Sequence, residues 1–193
     1  MKSTFAVLGF IAAAALAGCA HQPASGGGWL TLFDGSSLDA FDRVGNANWT
    51  VKDGVVQADK GVGFLVTKAR YADFQVRAEF WADEDANSGI YMRCTNPEKI
   101  TDESCYEANI FDKRPDPTYA TGAVTKFAKS TTPMKAAGKW NTYEITAKGD
   151  HLVVVLNGVK TVDMRDGKFA SGPIALQSAA GTIRFRKVEV RPL

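Results

Sequence analysis

Alternation of apolar and polar residues is the dominant pattern in this chain. Residues 74–80 alternate apolar and polar side chains without interruption, which is the period of a β-strand with one buried face. Similar short runs, rich in β-branched and aromatic residues, occur at 29–33, 49–51, 55–58, 64–67, 143–146, 152–156, 174–176 and 183–190. Outside the N-terminal segment, no stretch combines a helical apolar stripe with capping residues. The pattern therefore predicts an all-β chain.

Short polar turns separate these runs. Asp53-Gly54 and Asn157-Gly158 favour type I′ hairpins, and Gly149-Asp150 favours a type II′ hairpin. Roughly ten or more short strands at close spacing predict a β-sandwich or barrel. We expect a jelly-roll-like sandwich of two curved antiparallel sheets, with one concave face left free for a ligand.

The N-terminal segment predicts secretion and lipid attachment. Lys2 precedes an apolar run at 5–16, and Leu16-Ala17-Gly18-Cys19 matches the bacterial lipoprotein pattern. Residues 1–18 are thus predicted to be a signal peptide, with Cys19 the lipidated residue that anchors the chain to a membrane. The alternative is ordinary secretion with a free Cys19. Ala20, in place of an aspartate, favours the outer membrane, on its periplasmic or surface side.

One domain follows a tether. Residues 19–28 lack apolar periodicity and are predicted to be flexible, and residues 29–193 are long enough for one domain with a sizeable core. Removal of residues 1–18 takes away only Lys2, so the formal net charge falls from +2 to about +1. No basic patch or charge run indicates nucleic-acid binding.

Cys94 and Cys105 are predicted to form a disulfide. Both belong to a secreted segment, where an oxidising compartment favours such bonds. A metal-binding pair is the alternative, but no His or Cys cluster accompanies them.

Three consecutive runs, at 87–94, 105–112 and 121–127, carry polar residues where core-facing strands would carry apolar ones. The residues that stand out are Arg93, Glu107, Asn109 and Lys126. A sheet that exposes such side chains uses them either for a ligand or for solvation. This choice decides the function.

Strand periodicity places the first two of these residues together. With Ile90 and Met92 facing the core, Tyr91 and Arg93 face outward. By the same parity Glu107 faces outward on the next run, so antiparallel pairing brings Arg93 and Glu107 together on the free face.

Three of these polar residues also have an ordinary structural interpretation. Arg93 and Glu107 could form only a surface ion pair, and Lys126 could be a solvated sheet residue. Exposed Tyr91 and Phe111 favour stacking on sugar rings, although isolated surface aromatics are common.

The neighbouring loop and strand also limit the chemistry. Asp112, Arg114 and Asp116 lie in a Pro-rich loop that either closes over a ligand or solvates a turn. After Glu107, the outward positions are Asn109 and Phe111, so the second carboxylate of a double-displacement glycosidase is missing from this strand.

Taken together, the segments resemble the 3-keto-disaccharide hydrolase domain family from residue 29 to residue 193. The resemblance rests on LTLFDGSSL, WTVKDGVV, YADFQVRAEF, NSGIYMR, YEANIFD, TGA, GKWNTYEI, LNGVKTV and GPIALQ followed by IRFRKVEV. It implies a jelly roll related to concanavalin-like lectins and glucanases, acting on glycosides oxidised at carbon 3 of the sugar.

That substrate implies elimination followed by water addition, which needs one base and a group that stabilises an enediolate. Glu107 is the expected base, and either Arg93 or a divalent metal ion is expected to hold the negative charge. No other cofactor is expected. Tyr91, Asn109 and Gln177 are expected to orient sugar hydroxyls, and Lys126 is a further candidate contact.

One departure from the family pattern keeps an alternative open. Family members often carry a histidine shortly after the Leu-Gln pair, but Ser178 follows Gln177 here, and the only histidines are His21 and His151. The second hypothesis is therefore a carbohydrate-binding envelope lipoprotein without catalytic activity.

Overall fold

The computed structural model describes residues 27–193. The predicted signal peptide, the lipidation site Cys19 and most of the tether lie outside these residues. Within them, thirteen strands and one short 3-10 helix form. The elements are β1 (Leu30–Phe33), β2 (Phe41–Gly45), β3 (Thr50–Lys52), β4 (Val55–Ala58), β5 (Gly63–Thr67), β6 (Phe74–Ala82), β7 (Ser88–Met92), β8 (Tyr106–Ile110), the 3-10 helix (Pro117–Tyr119), β9 (Trp140–Lys148), β10 (His151–Leu156), β11 (Val159–Arg165), β12 (Ala175–Ser178) and β13 (Ile183–Pro192).

The strands form two sheets. The eight-stranded sheet has the order β11-β10-β9-β6-β13-β4-β3, with β1 also paired to β13, and the five-stranded sheet has the order β2-β5-β12-β7-β8. Every pair of neighbouring strands is antiparallel. The predicted all-β sandwich is confirmed.

The core lies between the inner faces of the two sheets. The apolar side chains reach this core because alternate residues of a strand point to the same face. Strand β6 shows this most clearly, since buried and partly exposed residues alternate along all nine of its positions. Phe74, Val76 and Phe80 of β6 belong to the same hydrophobic cluster as Ile90 of β7 and Leu176 of β12. Each such side chain contributes roughly 1.5–3 kcal/mol when fully buried.

The two predicted type I′ hairpins are present. Asp53 and Gly54 have φ values of 52° and 77°, and Asn157 and Gly158 have values of 52° and 79°. Positive φ at both central residues is what this turn requires, and it matches the twist of the flanking strands.

The third polar run, at 121–127, does not form the expected strand. Val124 makes only isolated bridges, to Ala108 and Ala128, and the Phe127 amide donates to the Val124 carbonyl at 2.9 Å. This hydrogen bond closes a turn in which Lys126 has a φ of 67°. A residue with positive φ interrupts the extended backbone, so the run reverses direction.

Strands β2 and β11 were not predicted from the sequence. Both lie at the edges of their sheets, and most of their residues remain exposed or partly exposed. An edge strand that buries few residues lacks the regular apolar alternation on which the prediction depends. No helix within residues 27–193 is both long enough and apolar enough to cross a bilayer.

Candidate functional site

A cavity of about 390 Å³ lies on the outer face of the five-stranded sheet, above β12, β7 and β8. This volume is within the range of small-molecule sites. Strands and loops both contribute to its lining. The lining residues are Val62, Phe64, Asn87, Tyr91, Ile100, Thr101, Asp102, Glu107, Asn109, Phe111, Arg114, Tyr119, Thr125 and Gln177.

Strand pairing places the predicted side chains at the base of this cavity. Tyr91 of β7 is directly opposite Glu107 of β8, and Gly89 is opposite Asn109. Between these positions Ile90 and Ala108 enter the core, as the alternation predicts. Tyr91, Glu107, Asn109 and Gln177 therefore lie together, as expected from the sequence.

Glu107 is a buried carboxyl group with a perturbed pKa. Only 6% of the residue is exposed. Burial raises the pKa of Glu107 to about 7, and the negative charge of Asp102 acts in the same direction. The hydroxyl groups of Tyr91 and Thr125 lie near the carboxyl and lower the pKa, but less strongly than burial raises it. Near neutral pH this carboxyl can thus either accept or release a proton.

Gly89 makes space for the Glu107 carboxyl. A Cβ atom at position 89 would lie 2.7 Å from Glu107 Oε1 and 3.0 Å from its Cγ. Any larger residue would push the carboxyl out of its position. The glycine is thus required by the close approach of a neighbouring side chain.

Tyr91 is held on two sides. Its hydroxyl accepts a hydrogen bond of 3.0 Å from Gln177 Nε2, and its ring packs edge-on against Phe64 with 5.4 Å between centroids. Burial raises the pKa of Tyr91, and the charge of Glu107 raises it further. Tyr91 therefore stays protonated, and since Gln177 is the donor in their shared bond, the hydroxyl proton is directed to the neighbouring Glu107 carboxyl or to a ligand atom beside it.

Two buried polar atoms beside the cavity lack a hydrogen-bond partner among residues 27–193. They are Gln177 Oε1 and Thr125 Oγ1. The Thr125 hydroxyl is close enough to Glu107 to affect its pKa, but their contact does not have hydrogen-bond geometry. A buried polar atom without a partner is costly. Both atoms are therefore available to a bound molecule.

Asn109 shapes the wall of the cavity. Its side-chain amide donates to the Tyr119 carbonyl, and its Oδ1 accepts a bond of 3.0 Å from the Ile110 amide. These bonds attach the Tyr119 segment to β8 and, within residues 27–193, leave one N–H donor and one acceptor site of the amide unused.

The prediction that Arg93 lies beside Glu107 is wrong. Strand β7 ends at Met92, and Arg93 has a φ of 53°, which breaks the alternation and turns the side chain away. Its guanidinium donates to the carbonyls of Ala72 at 2.8 Å and Gly149 at 2.7 Å and pairs with Asp73 at 3.1 Å. Arg93 does not line the cavity, and its contacts indicate a structural role.

Lys126 also does not line the cavity. From its turn it forms ion pairs with Asp102, at 3.1 Å, and with Glu103. Its effect on the site is indirect, because Asp102 is itself a lining residue.

The predicted disulfide between Cys94 and Cys105 is confirmed, with a Cα–Cα distance of 4.3 Å. It closes a loop, residues 94–105, that we call the disulfide loop. Ile100 in this loop packs in a cluster with Val66, Tyr91 and Ala175 on the outer face of the sheet. The loop therefore covers part of the face and forms one wall of the cavity.

The sequence interpretation missed Asp102, which the disulfide loop brings into the cavity. No periodic signal marks a loop residue. The cysteine pair was the available clue, because a bridge between the ends of β7 and β8 must hold the intervening loop close to Tyr91 and Glu107.

Arg114 is the other charged group that the loops contribute. Its guanidinium carbon lies 5.6 Å from the centre of the Phe111 ring and 5.1 Å from that of Tyr119, and all three residues line the cavity. Asp112, from the same loop, instead accepts hydrogen bonds from the Ala136 and Ala137 amides, so its carboxylate is used in the fold.

The donor set does not fit a divalent metal ion. In the part of the chain that the structure describes, no group of three or more His, Cys, Asp and Glu side chains is arranged to hold one. His151, the histidine within this part, is paired with Asp163 at 2.8 Å in the β10–β11 hairpin.

Residues 28–191 match the 3-keto-alpha-glucoside-1,2-lyase-like domain family. The chain belongs to this family. No curated protein sequence matches it. Solved structures of similar fold include two candidate glycosyl hydrolases from Parabacteroides distasonis. One has 27% identity and a TM-score of 0.73, covering 86% of this chain and 100% of the other. The second has 19% identity and a TM-score of 0.77, covering 86% and 94%.

A carbohydrate-binding module from Bacillus subtilis has a similar fold as well. Its identity is 20% and its TM-score is 0.60, with 85% of this chain and 95% of the module covered. The likeness at this level of identity concerns the fold, a sandwich of two antiparallel sheets.

Proposed function

We propose that this domain cleaves the glycosidic bond of 3-keto-glycosides by elimination followed by hydration, with Glu107 as the base. One observation carries the proposal. A carboxyl with a pKa near 7 lies at the base of a small-molecule cavity, next to two buried polar atoms that lack partners. Family membership and the glycosyl hydrolases of similar fold support a carbohydrate substrate.

A ketone at carbon 3 makes this chemistry accessible to a single base. Ionised Glu107 removes the proton on carbon 2, and the electron pair moves into the carbonyl to give an enolate. The enolate then expels the glycosidic oxygen from carbon 1, and this oxygen takes up a proton as it leaves. Water then adds across the double bond of the resulting unsaturated ketone: its oxygen bonds to carbon 1, a proton returns to carbon 2, and the free 3-keto sugar is released.

Tyr91 takes the role that the sequence had assigned to Arg93. Its hydroxyl remains protonated, because burial and Glu107 raise its pKa. Once Glu107 has taken up the proton from carbon 2 and lost its charge, the Tyr91 hydroxyl, held by Gln177, can donate its hydrogen bond to the enolate oxygen instead. Thr125 is a second donor beside the same carboxyl. Gln177 Oε1 accepts a bond from a sugar hydroxyl.

The decisive experiment incubates the purified protein with a 3-keto-disaccharide, with and without divalent metal, and measures sugar release. The wild-type protein should release sugar, and Glu107→Gln should lower kcat by at least about 100-fold, because it removes the base. Glu98→Gln, an exposed carboxylate of the disulfide loop, is the matched control. Sugar release that survives Glu107→Gln removes Glu107 as the base, and no release under any condition removes the enzymatic function.

The second candidate is carbohydrate binding without catalysis. The likeness to a carbohydrate-binding module favours it. Calorimetric titration with the 3-keto-disaccharide distinguishes the two functions. Binding without sugar release supports this candidate, whereas turnover excludes it.

A further inference from the structure

We propose that Arg114 binds a carboxylate on the leaving group of the substrate, so that the enzyme prefers glycosides whose leaving group is acidic. This inference rests on the proposed function and specifies its substrate class. It concerns the side of the cavity that the loops form, and not the buried floor where Glu107 lies.

The aromatic rings hold the guanidinium in place without using its hydrogen bonds. Phe111 and Tyr119 both lie within cation–π distance of Arg114. Stacking on a ring face engages the flat surface of the guanidinium and leaves the N–H groups at its edge available. Those groups have the fork geometry that suits a carboxylate.

No protein carboxylate occupies that fork. Among residues 27–193, none of the ion pairs involves Arg114. Asp116 is near enough that Arg114 helps to lower its pKa, but the larger causes are hydrogen bonds from Thr118. The Asp116 carboxylate accepts a hydrogen bond of 2.9 Å from the Thr118 amide and thereby caps the 3-10 helix.

Depth in the cavity separates the two ends of the substrate. Glu107 is buried at the base, whereas Arg114 and Val62 are exposed lining residues. The sugar that loses a proton must reach Glu107, so its leaving group extends toward the open side. There it meets Arg114 and its two rings.

The charges of the cavity favour a carboxylate over a phosphate dianion. Asp102 and Glu107 line the same cavity as Arg114. Both carboxylates repel any bound anion, but a doubly charged group incurs about twice the repulsion of a singly charged one, and the single guanidinium can neutralise only one charge.

The test uses two 3-keto-glucosides of nearly the same shape, with 4-carboxyphenyl and 4-carbamoylphenyl leaving groups. We would measure kcat/KM for both substrates with wild-type protein, Arg114→Gln and Arg114→Lys. The ratio of the acidic to the neutral substrate should fall about 10-fold in Arg114→Gln, as expected for a charge-assisted bond at a partly exposed site. Arg114→Lys should keep part of the preference, because it retains the charge without the fork.

Lys113→Gln provides the matched control. Lys113 is the adjacent cation, but it pairs with Asp85 and does not line the cavity. Lys113→Gln should leave the ratio of kcat/KM for the acidic and neutral substrates unchanged. An equal fall of this ratio in Lys113→Gln would mean that any positive charge on the loop has the same effect, and it would overturn the proposal. An unchanged ratio in Arg114→Gln, or an equal loss for both substrates, would also overturn it.

A binding measurement separates this inference from the proposed function. Calorimetry on Glu107→Gln with the same two compounds should show a carboxylate preference, and adding Arg114→Gln should remove it. If wild-type protein cleaves neither compound but this preference is present, the enzymatic function fails and the Arg114 site stands. If cleavage occurs without any preference, only the Arg114 site fails.

Discussion

At the scale of single residues, Glu107 is a compromise between stability and chemistry. Burial next to Tyr91 and Thr125, in the space left by Gly89, keeps a carboxyl largely out of water. The folded protein therefore favours the protonated form, and the proposed reaction requires the ionised form. The two demands oppose each other as pH changes.

The raised pKa of Glu107 predicts a specific pH dependence of stability. Below pH 4.5, the ordinary pKa of this group, Glu107 is protonated in both the folded and the unfolded chain, so its contribution is fully present. As pH rises towards about 7 the unfolded chain ionises first, so the contribution of Glu107 to the free energy of unfolding is lost. The loss should reach roughly 3 kcal/mol, at about 1.4 kcal/mol per pKa unit.

Denaturant unfolding of wild-type protein and Glu107→Gln at about pH 4, 6 and 8 measures this loss. The difference between the two proteins should shift in favour of the glutamine variant as pH rises, and catalytic activity should increase over the same interval. Glu98→Gln should show no such shift. A constant difference across the pH range would mean that Glu107 titrates normally.

At the scale of elements, the disulfide loop matters for the site as much as for the fold. Its Ile100 packs on the sheet, while Thr101 and Asp102 line the cavity. The bridge spans a sequence separation of 11 residues and connects the ends of β7 and β8. One wall of the site thus depends on one covalent bond.

Loss of this bond should weaken both stability and substrate binding. Replacing Cys94 and Cys105 by serine is expected to lower the free energy of unfolding by roughly 3 kcal/mol, the chain-entropy value for a loop of this size. KM should rise more than kcat falls, because Glu107 and Tyr91 remain on their strands. Denaturation and steady-state kinetics measure the two effects.

Reductant provides the control for the loop. It should reproduce the double substitution in wild-type protein and have no effect on the serine variant. Full activity with unchanged KM after reduction would show that the loop does not form a wall of the working site.

At the scale of the whole molecule, Arg93 connects the two sheets at one end of the sandwich. It follows β7 of the five-stranded sheet, and its guanidinium reaches Ala72 and Asp73, which precede β6, and Gly149 in the β9–β10 turn. The residue is 2% exposed. Its bonds therefore tie the segment after β7 to two segments of the eight-stranded sheet.

Arg93→Met should therefore lower the free energy of unfolding by roughly 3 kcal/mol, since it removes a buried charge that several groups use. The kcat/KM of the folded protein should stay within about two-fold, because Arg93 does not line the cavity. Thermal unfolding and kinetics below the transition test both statements. Lost activity with unchanged stability would instead restore a catalytic role.

The sequence determined those features that depend on local geometry. Strand periodicity has the same meaning wherever the strand lies, so it correctly predicted the all-β fold and the outward positions of Tyr91, Glu107 and Asn109. Turn chemistry is equally local, and the Asp53-Gly54 and Asn157-Gly158 hairpins followed from it.

Only the tertiary structure decided what lies around Glu107. A single positive φ turned Arg93 away from the site, and another placed Lys126 in a turn instead of a strand. Asp102 and Arg114 reach the cavity from loops, whose course depends on the disulfide and on packing against distant strands. Alternation along a strand is set by each residue's own backbone geometry, whereas the position of a loop side chain results from many contacts between segments far apart in the chain. For that reason the sequence predicted the strand residues on the floor of the cavity, and only the structure located the loop residues that form its walls.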